Sequence, residues 1–358
     1  MLQRQPWAHN LSSGWYAGAG THSLRGSVVT RLRLATFNLE NLDDRPGAGD
    51  FADRVRVLAP QLQRLRADVL CLQEINAHAL TKHGPREVSA LDRLVAGSDY
   101  EHRHRVVSLS RGGVRPADRH NLVVLSRLPV LEHSQVWHDL VPPPSYRPVT
   151  AQPRPDLPEA VEWDRPILHV VLDAGGGQRL HVVNVHLRAP RAAWLPGQKD
   201  GHGRWNSIGG WAEGFFLADI KRAGQALEAR LLVERILDSE PDALIAVLGD
   251  FNAGDHEAPV RTIRGDEDDT GNGHLGPRVL VPVERSIPES QRFSVIHRGR
   301  RILLDHILVS RLLLGSFRAA ELHNETLGDE LISPALVWAS PESYHAPLVA
   351  EFSLRPSR

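Results

Sequence analysis

A chain of 358 residues with 41% hydrophobic and 24% charged content carries enough apolar material for a sizeable core and has an ordinary soluble composition. Lys and Arg total 42 against 43 Asp and Glu, so the net charge of −1 gives no electrostatic reason to expect strong non-specific DNA binding, although it leaves room for a local basic patch. The single cysteine, Cys71, excludes an internal disulfide and reads as a small buried hydrophobe, and no run approaches the roughly eighteen apolar residues of a membrane span.

Residues 1–30 are rich in Gly, Ser and polar residues and lack the basic-then-apolar pattern of a signal peptide. They are expected to be a flexible segment ahead of one domain over 31–358, in a monomeric cytoplasmic protein. Residues 33–38 read as a strand, and 53–65 as an amphipathic helix with Val55, Leu58, Leu62 and Leu65 on one face. Residues 68–74 and 121–126 read as further strands, the first apolar throughout and so buried on both faces. Eight prolines between 139 and 166 mark a long irregular surface excursion. Residues 167–172 and 180–186 form an expected hairpin around Gly175, Gly176 and Gly177. A loop over 188–211 precedes a helix at 213–239 and a buried strand at 244–248. A second hairpin is expected from 293–296 and 302–308 around Arg298, Gly299 and Arg300, and a last strand at 349–354. Many strands, few helices and turn-joined neighbours predict a mixed α/β sandwich, not a doubly wound parallel sheet. No Gly-rich dinucleotide or Walker-type loop occurs, which argues against a nucleotide cofactor.

Several of these strands end in polar residues. Each has a structural explanation alone: Asn38 as a turn, Glu74 as a solvated end, His186 as a satisfied histidine, Asp305 as an ion-pair partner. Together they weigh differently. Glu74 and Asp250 each follow a strand with no polar interior, and a carboxylate there is costly unless solvated, paired or bound to a cation. Converging oxygen ligands suit Mg²⁺ or Mn²⁺. His186 and His345 add groups that titrate near neutrality. Carboxylates, amides and two histidines, with no catalytic Ser or Cys motif, suit attack by water on a phosphate.

Seven motifs occur in order: 34–41 (through Asn38 and Glu40), 68–74 (ending in Glu74), 121–127, 183–187 (Asn184, His186), 249–252 (Asp250, Asn252), 304–310 (Asp305) and 344–347 (His345). They resemble the successive motifs of the endonuclease/exonuclease/phosphatase superfamily over residues 31–354. The resemblance implies a four-layer α/β/β/α sandwich of two mixed β-sheets flanked by helices, with the site at one end of both sheets. It implies a divalent-metal-dependent hydrolase of phosphate esters, with Glu74 and Glu40 at a Mg²⁺ or Mn²⁺ ion. Asp250 would orient or deprotonate the attacking water and Asn252 would help hold the phosphate. His186 would contact phosphate or act as general acid. His345 would bond a non-bridging oxygen, and Asp305 would orient His345. Asn38 and Asn184 are expected at the substrate.

The family's last motif normally reads Ser-Asp-His, whereas here it reads Ser343, Tyr344, His345. The missing aspartate often contributes to the metal site. Either Glu74 and Glu40 suffice for one metal, or Glu342 reaches in, or metal affinity is weak. For the substrate, the loop 188–211 interleaves Arg188, Arg191, Lys199 and Arg204 with Trp194, Trp205 and Trp211, a combination that suits nucleic acid, with Arg188 and Arg191 as contacts. The tryptophans would equally serve to pack the loop onto the domain. The leading expectation is a nuclease acting on DNA. The alternatives are a phosphodiesterase or phosphatase of a small molecule or lipid, and a metal-deficient binding protein.

Overall fold

Alternating burial along each strand sets the layering. In the computed structural model, which describes residues 31–45, 50–79, 84–330 and 341–354, twelve strands form two six-stranded sheets. We number these strands and the three helices that bear on them, leaving short hairpins and turns unlabelled. The first sheet uses β1 (Leu32–Leu42), β2 (Val69–Ile75), β3 (His104–Val107), β4 (Asn121–Ser126), β11 (Phe317–Leu322) and β12 (Leu348–Phe352), in the order β11-β12-β1-β2-β4-β3. The second uses β5 (Val130–Val136), β6 (Ile167–Gly175), β7 (Gln178–His186), β8 (Leu244–Asp250), β9 (Val281–Pro282) and β10 (Asp305–Val309), in the order β9-β10-β8-β7-β6-β5. Only β1 with β2 and β7 with β8 run parallel, so both sheets are mixed. Helices α1 (Phe51–Leu65) and α2 (Ser89–Val95) cover the outer face of the first sheet, and α3 (Ile208–Ser239) covers that of the second. This is the expected four-layer α/β/β/α sandwich. No helix among the described residues is long and apolar enough to cross a membrane.

The core is three apolar slabs. Leu34, Cys71, Val182, Leu248 and Ile307 meet between the sheets. Phe37, Leu70 and Leu72 point to α1 and α2, while Val183, Val185 and Val247 point to α3. With a period of two, the inter-sheet series 34, 36, 38 on β1 and 180, 182, 184, 186 on β7 carries Asn38 and His186 inward. The same count places Asp250 at the end of β8 and Asp305 at the start of β10 on that face. Apolar inter-sheet positions thus give way to polar ones at one end of the sandwich.

Differences from expectation have local causes. The strand expected over 302–308 is two strands. Arg300–Ile302 pairs with Val295–His297, while Asp305–Val309 joins the second sheet. Ser294 makes the break, its Oγ accepting the N–H groups of Leu304 and Asp305 at 3.0 and 3.1 Å. Helix α3 starts at Ile208, earlier than expected, because Ser207 caps it by accepting from Gly210 N at 2.9 Å. The Pro-rich stretch is irregular apart from the small hairpin of Ser145–Tyr146 with Glu159–Ala160. Residues 1–30 lie outside the described residues.

Candidate active site

Glu74 stands at the end of β2, where the backbone turns into the left-handed region at φ 62° and aims the carboxylate out of the pleat. Glu40, Asn41, His120 and Asn252 share that uncommon conformation, at φ 47°, 53°, 57° and 48°. Such a concentration of non-glycine residues in the left-handed region is a mark of a functional constellation. The Glu74 carboxylate accepts Asn41 N at 3.0 Å and Asn38 Nδ2 at 3.4 Å. Asn38 also donates to Asp250 Oδ2 at 2.9 Å, linking β1 to β8 across the two sheets.

Asp250 follows Gly249, whose φ of 146° and position against Val185 leave no room for a side chain, since a Cβ there would lie 1.9 Å from the Val185 oxygen. The Asp250 carboxylate accepts Asn252 N at 2.8 Å and Asn252 Nδ2 at 3.1 Å. Burial pushes it up to about 7; the nearby His345 cation opposes the rise and Asp305 adds to it. Asn252 is itself fixed by donating to Leu187 O at 3.0 Å and by Arg222, which donates to its carbonyl at 2.8 Å.

His345 Nδ1 donates to Asp305 Oδ2 at 2.8 Å, and its Nε2 lies 4.0 Å from Asp250 Oδ2. Burial pulls this imidazole down, but Asp305, Asp250 and Glu74 outweigh it and push it up to about 10. His345 is therefore an imidazolium at neutral pH. His186 is the opposite case. Its Nε2 sits 3.4 Å from Asp250 Oδ2 and 3.6 Å from Glu74 Oε1, yet burial, with the Arg165 guanidinium and the neighbouring His120 and His345 imidazoles, holds it well below its ordinary value. A neutral His186 fits a fixed dipole between two carboxylates better than a general acid, so the imidazolium role falls to His345.

Glu40 reaches the same end of the sheets, and its carboxylate accepts the backbone N–H of Tyr344 at 2.9 Å. Burial raises it, and Glu74 adds to the rise. Tyr344, 8% exposed, stands where the resemblance in sequence implies an aspartate. Asp305 Oδ1 and His186 Nδ1 are buried without a hydrogen-bond partner. The raised Asp250 and Glu40 carboxylates, the unpartnered Asp305 Oδ1 and the oxygen atoms of Glu74 and Asn38 form a donor set that fits a hard divalent cation. Asp250, Asp305 and His345 also approach one another closely enough to hold an ion. His345 is bonded to Asp305 and lies near Asp250, while Glu74, Asn38 and Glu40 offer further oxygen atoms at the same end of the sheets. Asp43, Asp44 and His78 form a second such group. There Arg45 and Arg93 already neutralise the carboxylates.

Three expected substrate contacts have protein partners. Asn184 has no exposed surface. Its amide donates to Leu72 O and Val123 O at 3.2 and 3.1 Å, and its Oδ1 accepts Gln73 Nε2 at 2.8 Å, so it clips the sheets together inside the sandwich. Arg188 pairs with Asp164 at 3.2 Å and Arg191 with Glu330 at 3.0 Å, so neither is a free cation. Two residues escaped the sequence reading. Arg165 donates to the carbonyl of Leu187 at 3.2 Å and to His120 Nδ1 at 3.1 Å. His120 Nε2 in turn bonds Asn41 Oδ1 at 2.8 Å and lies 3.9 Å from Glu74 Oε2. His120 directly precedes the recognised 121–127 motif, which was its only signal in the sequence; Arg165 had none, since it sits in the Pro-rich stretch.

A sandwich of this topology, with a carboxylate–imidazolium line beside an oxygen-rich cation site, defines a class of phosphoester hydrolases. The sequence profile of the Endonuclease/Exonuclease/phosphatase family matches residues 35–326, and the chain belongs to that family. Among solved structures, truncated TDP2 from Caenorhabditis elegans is 14% identical, with 90% of this chain and 98% of that chain covered and a TM-score of 0.53. An endonuclease/exonuclease/phosphatase from Bacteroides vulgatus is 17% identical, with 91% and 100% covered and a TM-score of 0.53. An AP endonuclease from Archaeoglobus fulgidus is 16% identical, with 90% and 100% covered and a TM-score of 0.49. For the first two, the likeness at these identities is one of fold. No curated protein sequence matches the chain.

Proposed function

We propose that residues 31–358 form one catalytic domain that hydrolyses phosphodiester bonds in nucleic acid, with DNA as the leading substrate. The observation that carries the chemistry is geometric: His345, bonded to Asp305 at 2.8 Å, lies 4.0 Å from Asp250 Oδ2, and the Asn38 and Asn252 amides hold that carboxylate. A carboxylate and an imidazole so placed can divide base from acid. Asp250, oriented by the Asn38 and Asn252 amides, accepts the proton of the attacking water. His345, held by Asp305, presents Nε2–H to a non-bridging phosphoryl oxygen and offsets the charge that grows there. Asn252 and Asn38 keep the Asp250 carboxylate from rotating. Glu74, with Asn38 and Glu40, would hold the divalent cation, which supplies positive charge against the phosphoryl oxygens when bound.

Exposed Trp194 and Trp211 support a nucleic-acid substrate as stacking surfaces. A small-molecule or lipid phosphodiester is the second reading. It is favoured by the state of the loop cations, since Arg188, Arg191 and Arg204 are all ion-paired and Lys199 lies over the Trp205 ring at 4.7 Å. The test uses supercoiled plasmid and bis(p-nitrophenyl) phosphate with Mg²⁺, Mn²⁺ or EDTA, alongside His345→Ala. Metal-dependent nicking that disappears in the variant supports the nuclease. Nitrophenol release without nicking supports the second reading, and inactivity with every metal overturns both.

A further inference from the structure

Arg165 is 9% exposed, and its neighbour Asp164 is already taken by Arg188 and Lys221. The buried guanidinium has no ion-pair partner among the described residues. Burial lowers its pKa against the pull of Glu74, Asp164 and Asp250, yet a guanidinium stays charged inside proteins. An unpaired buried charge is costly, so the groups it binds instead bear on its role. Nη1 donates to the carbonyls of Leu187 at 3.2 Å and His186 at 3.4 Å, at the end of β7, and Nη2 donates to His120 Nδ1 at 3.1 Å. Gln225 of α3 steadies the Arg165 backbone by donating to its carbonyl at 3.2 Å.

The bond to His120 fixes the tautomer of that ring. Arginine has donors only, so Nδ1 must accept, and the proton of the neutral imidazole stands on Nε2. Nε2 then donates to Asn41 Oδ1 at 2.8 Å. Asn41 in turn donates its backbone N–H to Glu74 Oε2 at 3.0 Å. Each bond of this relay has one possible direction, and the relay crosses from the second sheet to the first. The His120 backbone is held as well, its N–H donating to Asn76 Oδ1 at 3.1 Å in the turn after β2.

The relay ends where the backbone is most constrained. Asn41, Glu74 and His120 all lie in the left-handed region, and such conformations persist where the surroundings over-determine them. Arg165 ties the three to one rigid donor. A carboxylate free to rotate offers its oxygens in many directions. With Oε2 held by Asn41 and Oε1 3.4 Å from Asn38 Nδ2, Glu74 offers them in one.

We propose that Arg165 and His120 are positioning residues that act through Asn41 to fix the Glu74 carboxylate for a divalent cation, an assignment that rests on Glu74 as a cation ligand in the reading above.

The test is calorimetry of Mn²⁺ binding to the metal-free full chain, without substrate. Arg165→Met and His120→Leu are each expected to weaken binding on the order of tenfold. Because both break one relay, the double variant is expected to bind no more weakly than the worse single one, whereas independent effects would multiply to about a hundredfold. His120→Gln keeps a side-chain donor within reach of Asn41 and is expected to retain most of the affinity. Nitrogen NMR of the His120 ring is expected to show the Nε2–H tautomer in the wild type and a mixture in Arg165→Met. Wild-type affinity in both single variants, losses that multiply, or an Nδ1–H tautomer in the wild type overturns the proposal. Should Arg165→Met fail to fold, the two His120 variants decide: weaker binding in His120→Leu than in His120→Gln upholds it, and equal affinities overturn it. Unchanged Mn²⁺ affinity with a raised KM for bis(p-nitrophenyl) phosphate assigns the pair to the substrate and overturns the relay. The expected affinities in a protein that hydrolyses no ester uphold the relay and count against the phosphodiesterase reading alone. A wild type that binds no Mn²⁺ overturns both.

Discussion

Asp305 acts through His345. Its Oδ2 takes the imidazole N–H at 2.8 Å, while Oδ1 is buried without a partner. In Asp305→Asn the shape survives but the charge does not, so the His345 pKa is expected to fall from about 10 toward its ordinary range, read by NMR titration of the ring protons. Activity is expected to fall on the order of a hundredfold; a variant with an unmoved His345 titration would show that Asp305 is not the cause. The same group sets a pH dependence. The folded pKa of His345 lies above its unfolded value of about 6.5. Its contribution to stability is thus complete below that value and is lost as pH rises through about 10. The metal-free protein is expected to lose thermal stability across this window, and His345→Gln to flatten the slope there; an unchanged slope would point to other groups. Tyr344 is the third case. Its backbone N–H, not its ring, holds Glu40. Tyr344→Asp is therefore expected to keep the fold and tighten Mn²⁺ binding in calorimetry, an idea that an unchanged affinity would sink.

Helix α3 shows how an element can disobey local propensity. It carries Gly209, Gly210, Gly214 and Gly224 within Ile208–Ser239. Glycine weakens a helix by about 1 kcal/mol relative to alanine, so propensity alone predicts that Gly224→Ala stabilises. The packing predicts the reverse. A Cβ at 224 would lie 2.0 Å from the Trp163 ring, and that ring is held by Glu228. Gly224→Ala is expected to destabilise by about 1–3 kcal/mol through overpacking, measured by urea denaturation. The sign of the change decides between the two effects.

On the scale of the molecule, the sheets are joined by more than apolar contact. Thr36, Gln73 and Asn184 form a buried polar chain across them, with Gln73 Nε2 bonded to Thr36 Oγ1 at 3.1 Å and to Asn184 Oδ1 at 2.8 Å. Asn184→Ala takes one acceptor from the Gln73 amide and a donor from each of the carbonyls of Leu72 and Val123. A buried polar group left unpaired costs about 1–3 kcal/mol. Lowered stability at unchanged KM is expected. A raised KM with full stability would return Asn184 to the substrate.

The strand-end residues Asn38, Glu74, His186, Asp250 and Asp305 were legible because period-two alternation and motif order are properties of the chain itself. So were the central strands, which are apolar on both faces. The edge strands β3, β5 and β11 were not, because an edge strand with a solvated face carries the polar residues of a loop. Nor could the sequence show that Asn184 and His186, two residues apart on one face, differ in role. That depends on their surroundings: the facing sheet offers Gln73 and two carbonyls to Asn184, whereas His186 meets Glu74 from the facing sheet and Asp250 from its own. Arg188 and Arg191 followed the same rule: their charges were legible, but the carboxylates that take them, Asp164 and Glu330, lie outside the loop. Chemical identity was therefore determined locally, by the order of residues. Protonation, pairing and access were decided by the tertiary structure, because burial and charge proximity exist only once distant segments meet.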